Sequence, residues 1–257
     1  MAADLFTHFD VRTLLGLFGL LSITWIFSAW QRLGVGRELA WSALRATLQL
    51  GGMGFVLTWL FALHQPLVLL LFLLLMVLMA GGFNAKRGKG IRHAYWIGVA
   101  SIGLSTALLL AWMLGSGLIA FEGRVLIPLG GMLIGNAMNA VSLALDRLRA
   151  EIRNQEAILL AMAALGANAR QMLAEIYPQV TRSALIPTID SLKSVGLIHI
   201  PGITAGMILA GSAPLKAVGM QLLVMFMLTA VTALATFSAV LLAGPLALRF
   251  GGEESPA

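Results

Sequence analysis

Cysteine is absent from all 257 residues, which excludes disulfides, thiolate metal sites and thiol redox chemistry and leaves the redox compartment open. Charge is scarce: Asp, Glu, Lys and Arg make up 11% of the chain, against about 25% in an ordinary soluble domain. Acidic side chains are scarcest, with 11 in all. Almost none lies inside the apolar runs, which disfavours a secondary transporter relying on buried carboxylates and offers few oxygen ligands for a metal. A soluble catalytic domain is also missing. The one stretch resembling a phosphate loop, "GGFNAKRGKG" at 81–90, has the wrong glycine spacing, and Gly90 stands where the Walker motif needs Ser or Thr for magnesium. The chain is not expected to bind ATP by itself.

Apolar sequence dominates instead. Hydrophobic residues make up 59% of the chain and mean hydropathy is +0.92. Several runs reach the roughly 20 residues that a helix needs to cross a hydrocarbon core of about 30 Å. Seven segments emerge, at about 11–31, 39–62, 66–83, 94–115, 125–145, 191–211 and 217–245, and they predict an all-α polytopic membrane protein. The opening "MAADLFTHFDVRTLLGLF" has acids before its apolar run and no basic leader, unlike a cleaved signal peptide. The net charge of +6 reports topology rather than nucleic-acid binding, because basic-rich and basic-poor loops alternate. Arg12, Arg124 and Lys216 fall on one face, and the other 14 of the 17 Lys and Arg, from Arg32 to Arg249, fall on the other. The rich face is cytoplasmic by the positive-inside rule, so the N-terminus is expected outside and the C-terminus inside. A six-span version, with the first segment lying in the interface, would instead put the N-terminus inside.

The only long loop, residues 146–190, is rich in Ala, Leu, Arg and Glu at helical spacing. It predicts a cytoplasmic hairpin: the fifth span continues past the membrane, the chain breaks at Gly166, Asn168 caps a second, short helix, and that helix ends near Pro178. Leu159, Leu165, Met172 and Leu173 are the apolar knobs available to dock a partner.

Polar residues inside apolar spans are costly and tend to face the bundle interior or a cavity. Gln49, Asn136, Asn139, His199 and Gln221 are the candidates for a substrate pathway. Asn136 and Asn139 share a helix face at i, i+3, and Gly131 and Gly135 form a small-x-x-x-small surface for close helix approach. The two amides are equally explained as glue between helices. His199 could ligate a metal as neutral imidazole or serve as an interior hydrogen-bonding group. Pro201 and Gly202 beside it would break the sixth span and free backbone carbonyls. Met132, Met138 and Met207 are chiefly packing residues that could also line a soft-metal path. Asp4, His8, Asp10, His64 and Glu122 gather on the outer face in no recognisable ligand spacing. Thr188 and Asp190 are expected to cap the sixth span, with Lys193 pairing to Asp190 at i+3, and the pair is a candidate hinge between hairpin and pathway.

The hairpin resembles the coupling element of ABC-transporter permeases, a helix ending in Ala-x-x-x-Gly-Ala followed by a short helix seated on the ATPase. Ala164, Leu165, Gly166 and Ala167 carry the match, although Leu160 stands where importers place Glu. More widely, "GRELAWSALRATLQL" at 36–50, "IPLGGMLIGNAMNA" at 127–140, "ALIPTIDSLKSVGLIHIPGITAGMILAGSAPLKAV" at 184–218 and "QLLVMFML" at 221–228 together resemble the FetB (YbbM) family of ABC permeases over about residues 36–242. His199 and Asn139 depart from that family's pattern. The resemblance implies a single permease domain over 1–257 with 146–190 as its coupling hairpin, placed in the cell inner membrane. It also implies a homodimer served by a separate ATPase subunit that holds ATP and Mg, with no cofactor and no catalytic residue in this chain. Ala164, Leu165, Gly166, Ala167, Arg170, Asp190 and Lys193 would couple to that ATPase. The implied cargo is exported iron or a related metal. Plant relatives linked to UDP-glucose keep a nucleotide sugar open, and a non-transporting membrane scaffold for an ATPase is the remaining alternative.

Overall fold

The computed structural model describes residues 11–31, 34, 36–62 and 65–248. Among them the chain is all-α, with no strand. The helices are α1 (Val11–Trp30), α2 (Gly36–Ala62), α3 (Pro66–Arg87), α4 (Ala94–Gly115), α5 (Gly123–Asn154), α6 (Glu156–Ala164), α7 (Ala169–Met172), α8 (Ile176–Ser194), α9 (Gly202–Leu209) and α10 (Pro214–Ala247). Four of them, α3, α4, α5 and α10, are long and apolar enough to cross a membrane, and α1 carries a further apolar stretch, Phe18–Trp30. Asp4, His8, Asp10, Arg32, His64 and Arg249, which bear on topology and the outer-face group, lie outside the described residues.

Two compact units make up the chain. In one, α1 packs against α2. The other is built on α3 to α8, α9 as far as Ile208, and α10. At its centre is α5, which packs against α3, α4, α8 and α10. Its buried positions Leu126, Leu129, Leu133, Ala137, Ala140, Val141, Ala144, Leu145 and Leu148 recur every three or four residues, the spacing of a helix face. Thirty-two residues at about 1.5 Å each make α5 about 48 Å long. That is about 18 Å more than a hydrocarbon core of about 30 Å, so its Arg-bearing end projects beyond the apolar zone.

Lipid tails are as apolar as Leu, so close packing rather than water exclusion holds such helices together. The close approach on α5 is at Gly130, where a Cβ would come within 2.5 Å of Leu73 Cδ2 on α3. This corrects the Gly131 and Gly135 expectation: a Cβ on Gly131 would meet only the flexible end of Met76, and one on Gly135 would meet nothing within 4 Å.

The sixth segment is also different from its sequence reading. Residues 191–211 do not form one span: α8 runs to Ser194, a turn intervenes, and α9 has only eight residues. Gly196 at φ +82° ends α8, and Pro201 has no amide proton and disfavours helical backbone at the residue before it. Nor does the hairpin end at Pro178, which lies in the first turn of α8, where amide protons have no helical acceptor and proline is tolerated. Consequently Thr188 and Asp190 sit inside α8 near its C-terminal end, and the capping role expected for them is ruled out. The ion pair itself is present, with Lys193 Nζ 3.6 Å from Asp190 Oδ1 and both side chains well exposed.

Candidate functional site: a polar cavity and an exposed turn

A cavity of about 590 Å³ lies within the second unit, between α5, α8, the turn after α8, α9 and α10. Of the seven residues expected on a pathway, it brings together six: Asn136, Asn139, His199, Pro201, Gly202 and Gln221. Gln49 belongs to the other unit, on α2, and does not line it. The amides of α5 come to one wall because 132, 136, 139 and 143 follow a helix face.

Each polar group has a definite setting. Asn136 Nδ2 donates to its own helix at Met132 O, 2.9 Å away, and its carboxamide oxygen retains acceptor capacity. Gln221 is buried on α10 and lies 3.5 Å from the hydroxyl of Thr204 on α9, a long hydrogen bond that ties the short helix to the long one. His199 is held by a closed turn: Gly196 N donates to His199 O at 3.0 Å, Ile198 N donates to Ser194 O at 2.9 Å, and Ser194 Oγ lies 3.4 Å from His199 Nδ1. Such an interrupted helix beside a cavity is the setting in which irregular backbone persists at membrane depth.

Sequence reasoning missed the α8 wall, where Ala184, Pro187, Thr188 and Ser191 line the cavity. Pro187 sits inside the helix and removes one i→i−4 hydrogen bond, leaving the Ser183 carbonyl without its usual donor. Ser191 Oγ in turn donates to Pro187 O at 2.9 Å. The 3, 1, 3 spacing of these four residues marks one helix face and would have shown the wall had α8 been extended through Pro178. Of the three Met singled out, Met132 lines this cavity, Met138 lines a smaller neighbouring one, and Met207 lines neither. Among the described residues no cluster of three or more His, Asp or Glu could hold a metal ion. The donors around the cavity are amides, hydroxyls and one imidazole.

The hairpin beyond α5 ends α6 with a Schellman turn, in which Ala167 N donates to Met162 O and Gly166 N to Ala163 O, both at 3.0 Å. Gly166 takes φ +84°, a conformation costly for a residue with a Cβ. Asn168 then opens α7 with the expected cap: its Oδ1 accepts from Gln171 N at 3.0 Å, and Gln171 Oε1 accepts from Asn168 N at 2.8 Å. Ala164, Gly166 and Arg170 are exposed and Ala167 is half-buried. Two of the expected knobs are corrected, since Leu159 and Leu173 are buried, and Met172 is half-buried. The exposed apolar residues here are Leu165, 89% accessible at the tip, Ile158 and, on the other side of α6, Leu160.

Comparison with known proteins agrees with this membrane architecture. Residues 11–246 match the family described as "Uncharacterised protein family (UPF0014)". The chain is 34% identical over 220 residues, 86% of its length and 85% of the relative's, to the "Probable iron export permease protein FetB" of Escherichia coli (strain K12). It is 35% identical to the "UPF0014 membrane protein STAR2" of Oryza sativa subsp. japonica, over 84% of this chain and 75% of that one. To the "Protein ALUMINUM SENSITIVE 3" of Arabidopsis thaliana it is 32% identical, over 86% and 81%. No solved structure matches. Matched over nearly its whole length, the chain belongs to the UPF0014 family of membrane proteins.

Proposed function

We propose that this chain is the permease subunit of an ATP-driven ABC transporter, in which the 590 Å³ cavity is the transport pathway and a separate ATPase subunit docks on the Leu165–Ala167 turn. The observation that carries this reading is mechanical. One long helix, α5, bears Asn136 and Asn139 on the cavity wall and leads at its far end into the hairpin with its exposed apolar tip. Movement of a docked ATPase would be transmitted along a rigid rod to the cavity. ATP and Mg belong to the partner, two permease copies pair in the cell inner membrane, and the C-terminus is cytoplasmic.

The cargo is iron or a related metal, moved outward. The name of the Escherichia coli relative supports this, as does His199 on the wall. A second reading, a nucleotide-sugar cargo, is favoured by the cavity's volume, which is within the roughly 300–1,000 Å³ of small-molecule pockets. The deciding experiment is to purify the chain with an ABC ATPase and measure ATP hydrolysis with ferrous iron and, separately, UDP-glucose. Stimulation by iron supports the metal reading and stimulation by UDP-glucose supports the second. An ATPase that neither binds the chain nor changes rate with it would overturn the ABC assignment.

A further inference from the structure

A smaller cavity of about 340 Å³ adjoins the first, lined by Phe83 and Arg87 from α3 and by Met138, Asn139, Ser142, Leu143 and Asp146 from α5. Asn139 and Leu143 line both cavities. On α5 the larger cavity spans Met132 to Leu143 and the smaller one Met138 to Asp146, so the two overlap over 138–143 on adjoining sides of the helix, and the smaller, against α3, reaches about one turn further toward Asp146. From Met132 to Asp146 the two together extend about 21 Å at about 1.5 Å per residue.

The Asp146 end of the smaller cavity is marked by charge. Arg87 occupies the last turn of α3, where it complements the helix dipole, and Asp146 lies opposite on α5. Charged side chains at the bilayer centre are costly, so this mouth belongs at the water boundary. It is also the boundary where Lys86, Arg87, Lys89, Arg92, Arg147 and Arg149 concentrate, the cytoplasmic face by the positive-inside rule. Asn139 is exposed and its side-chain amide makes no hydrogen bond among the described residues, so that amide is available to a passing solute.

We propose that the smaller cavity is the cytoplasmic mouth of the pathway, and that Asn139 and Leu143 form a septum through which cargo enters the larger cavity. This rests on the transport reading and assigns the loading side of the same site, which suits outward movement. Arg87 and Asp146 at the mouth place one charge of each sign before the septum.

The chain contains no cysteine, so single cysteines report access without background. Met132→Cys places a thiol in the larger cavity beyond the septum, and Ala120→Cys one in the loop at the opposite end of α4 and α5. In inside-out membrane vesicles, a charged membrane-impermeant methanethiosulfonate should label Met132→Cys, while Ala120→Cys should label only in right-side-out vesicles. Adding Asn139→Trp should slow labelling of Met132→Cys at least tenfold, and adding Asn139→Ser should leave it within twofold. If the Trp variant does not fold, Leu143→Phe provides the second block. Labelling of Met132→Cys only from the outer side, or at equal rates with the septum filled and open, would overturn the portal. The experiment needs neither ATPase nor cargo, so a failure of the portal is distinguishable from a failure of the ABC reading.

Discussion

Truncating Leu165 tests whether the exposed hairpin tip docks the proposed ATPase without contributing to the fold. The side chain is 89% accessible at the tip of the hairpin, so Leu165→Ala removes almost nothing from the folded subunit. Exposed substitutions of this kind change stability by no more than about 0.5 kcal/mol. If the ATPase covers the tip, three carbons that would be buried on docking are lost, worth about 0.8 kcal/mol each or about 2.4 kcal/mol together. At 1.4 kcal/mol per decade this weakens Kd by about 50-fold. The assay is titration of the ATPase subunit onto the detergent-purified chain, with thermal unfolding measured in parallel. Leu173→Ala is the contrasting variant: Leu173 is fully buried, and its truncation should cost about 2–5 kcal/mol of stability. Unchanged affinity for Leu165→Ala, or a loss of stability as large as that of Leu173→Ala, would refute the docking assignment.

Other consequences are independent of docking affinity. The Asp190–Lys193 pair is exposed and worth no more than about 1 kcal/mol, so Asp190→Ala should leave assembly intact; as a hinge variant it should still lower transport-coupled ATPase activity by severalfold, and unchanged coupling would leave the pair without that role. Ser142 Oγ donates to the buried Asn84 Oδ1 at 2.6 Å, so Ser142→Ala should cost about 1–3 kcal/mol, read as a shift in thermal midpoint. A Cβ on Gly244 would overlap the ring of Tyr177 where α8 meets α10, so Gly244→Val should destabilise by about 1–3 kcal/mol through overpacking, and an unshifted melting curve would contradict that contact. Burial raises the Tyr177 phenol above its ordinary value near 10, opposed by Arg170. Because the unfolded chain loses that proton first, stability should fall as pH rises past 10, and Tyr177→Phe should reduce the fall.

The four helices long and apolar enough to cross a membrane were legible because uninterrupted hydropathy requires no knowledge of neighbours. The same signal misled at 191–211, where glycines at 196, 202, 206 and 211 and Pro201 keep an apolar run from forming one helix. Asn136, Asn139, His199 and Gln221 could be named from their polarity in apolar surroundings, and the structure gathers them around one cavity. Thr188 and Ser191 were missed as lining residues because ending the hairpin at Pro178 hid the face that α8 presents. The burial of Leu159 and Leu173 depends on how the hairpin folds on its neighbours, which apolarity alone does not encode.

The central claim is that this chain moves cargo only when an ATPase acts on it. Liposomes holding the permease with its ATPase, oriented with the ATPase outside, would be loaded from the outside with radiolabelled ferrous iron and ATP. The account predicts iron accumulation that requires hydrolysable ATP and is lost when Asn139→Trp closes the septum. Equal accumulation without nucleotide, or from liposomes holding the permease alone, would contradict it.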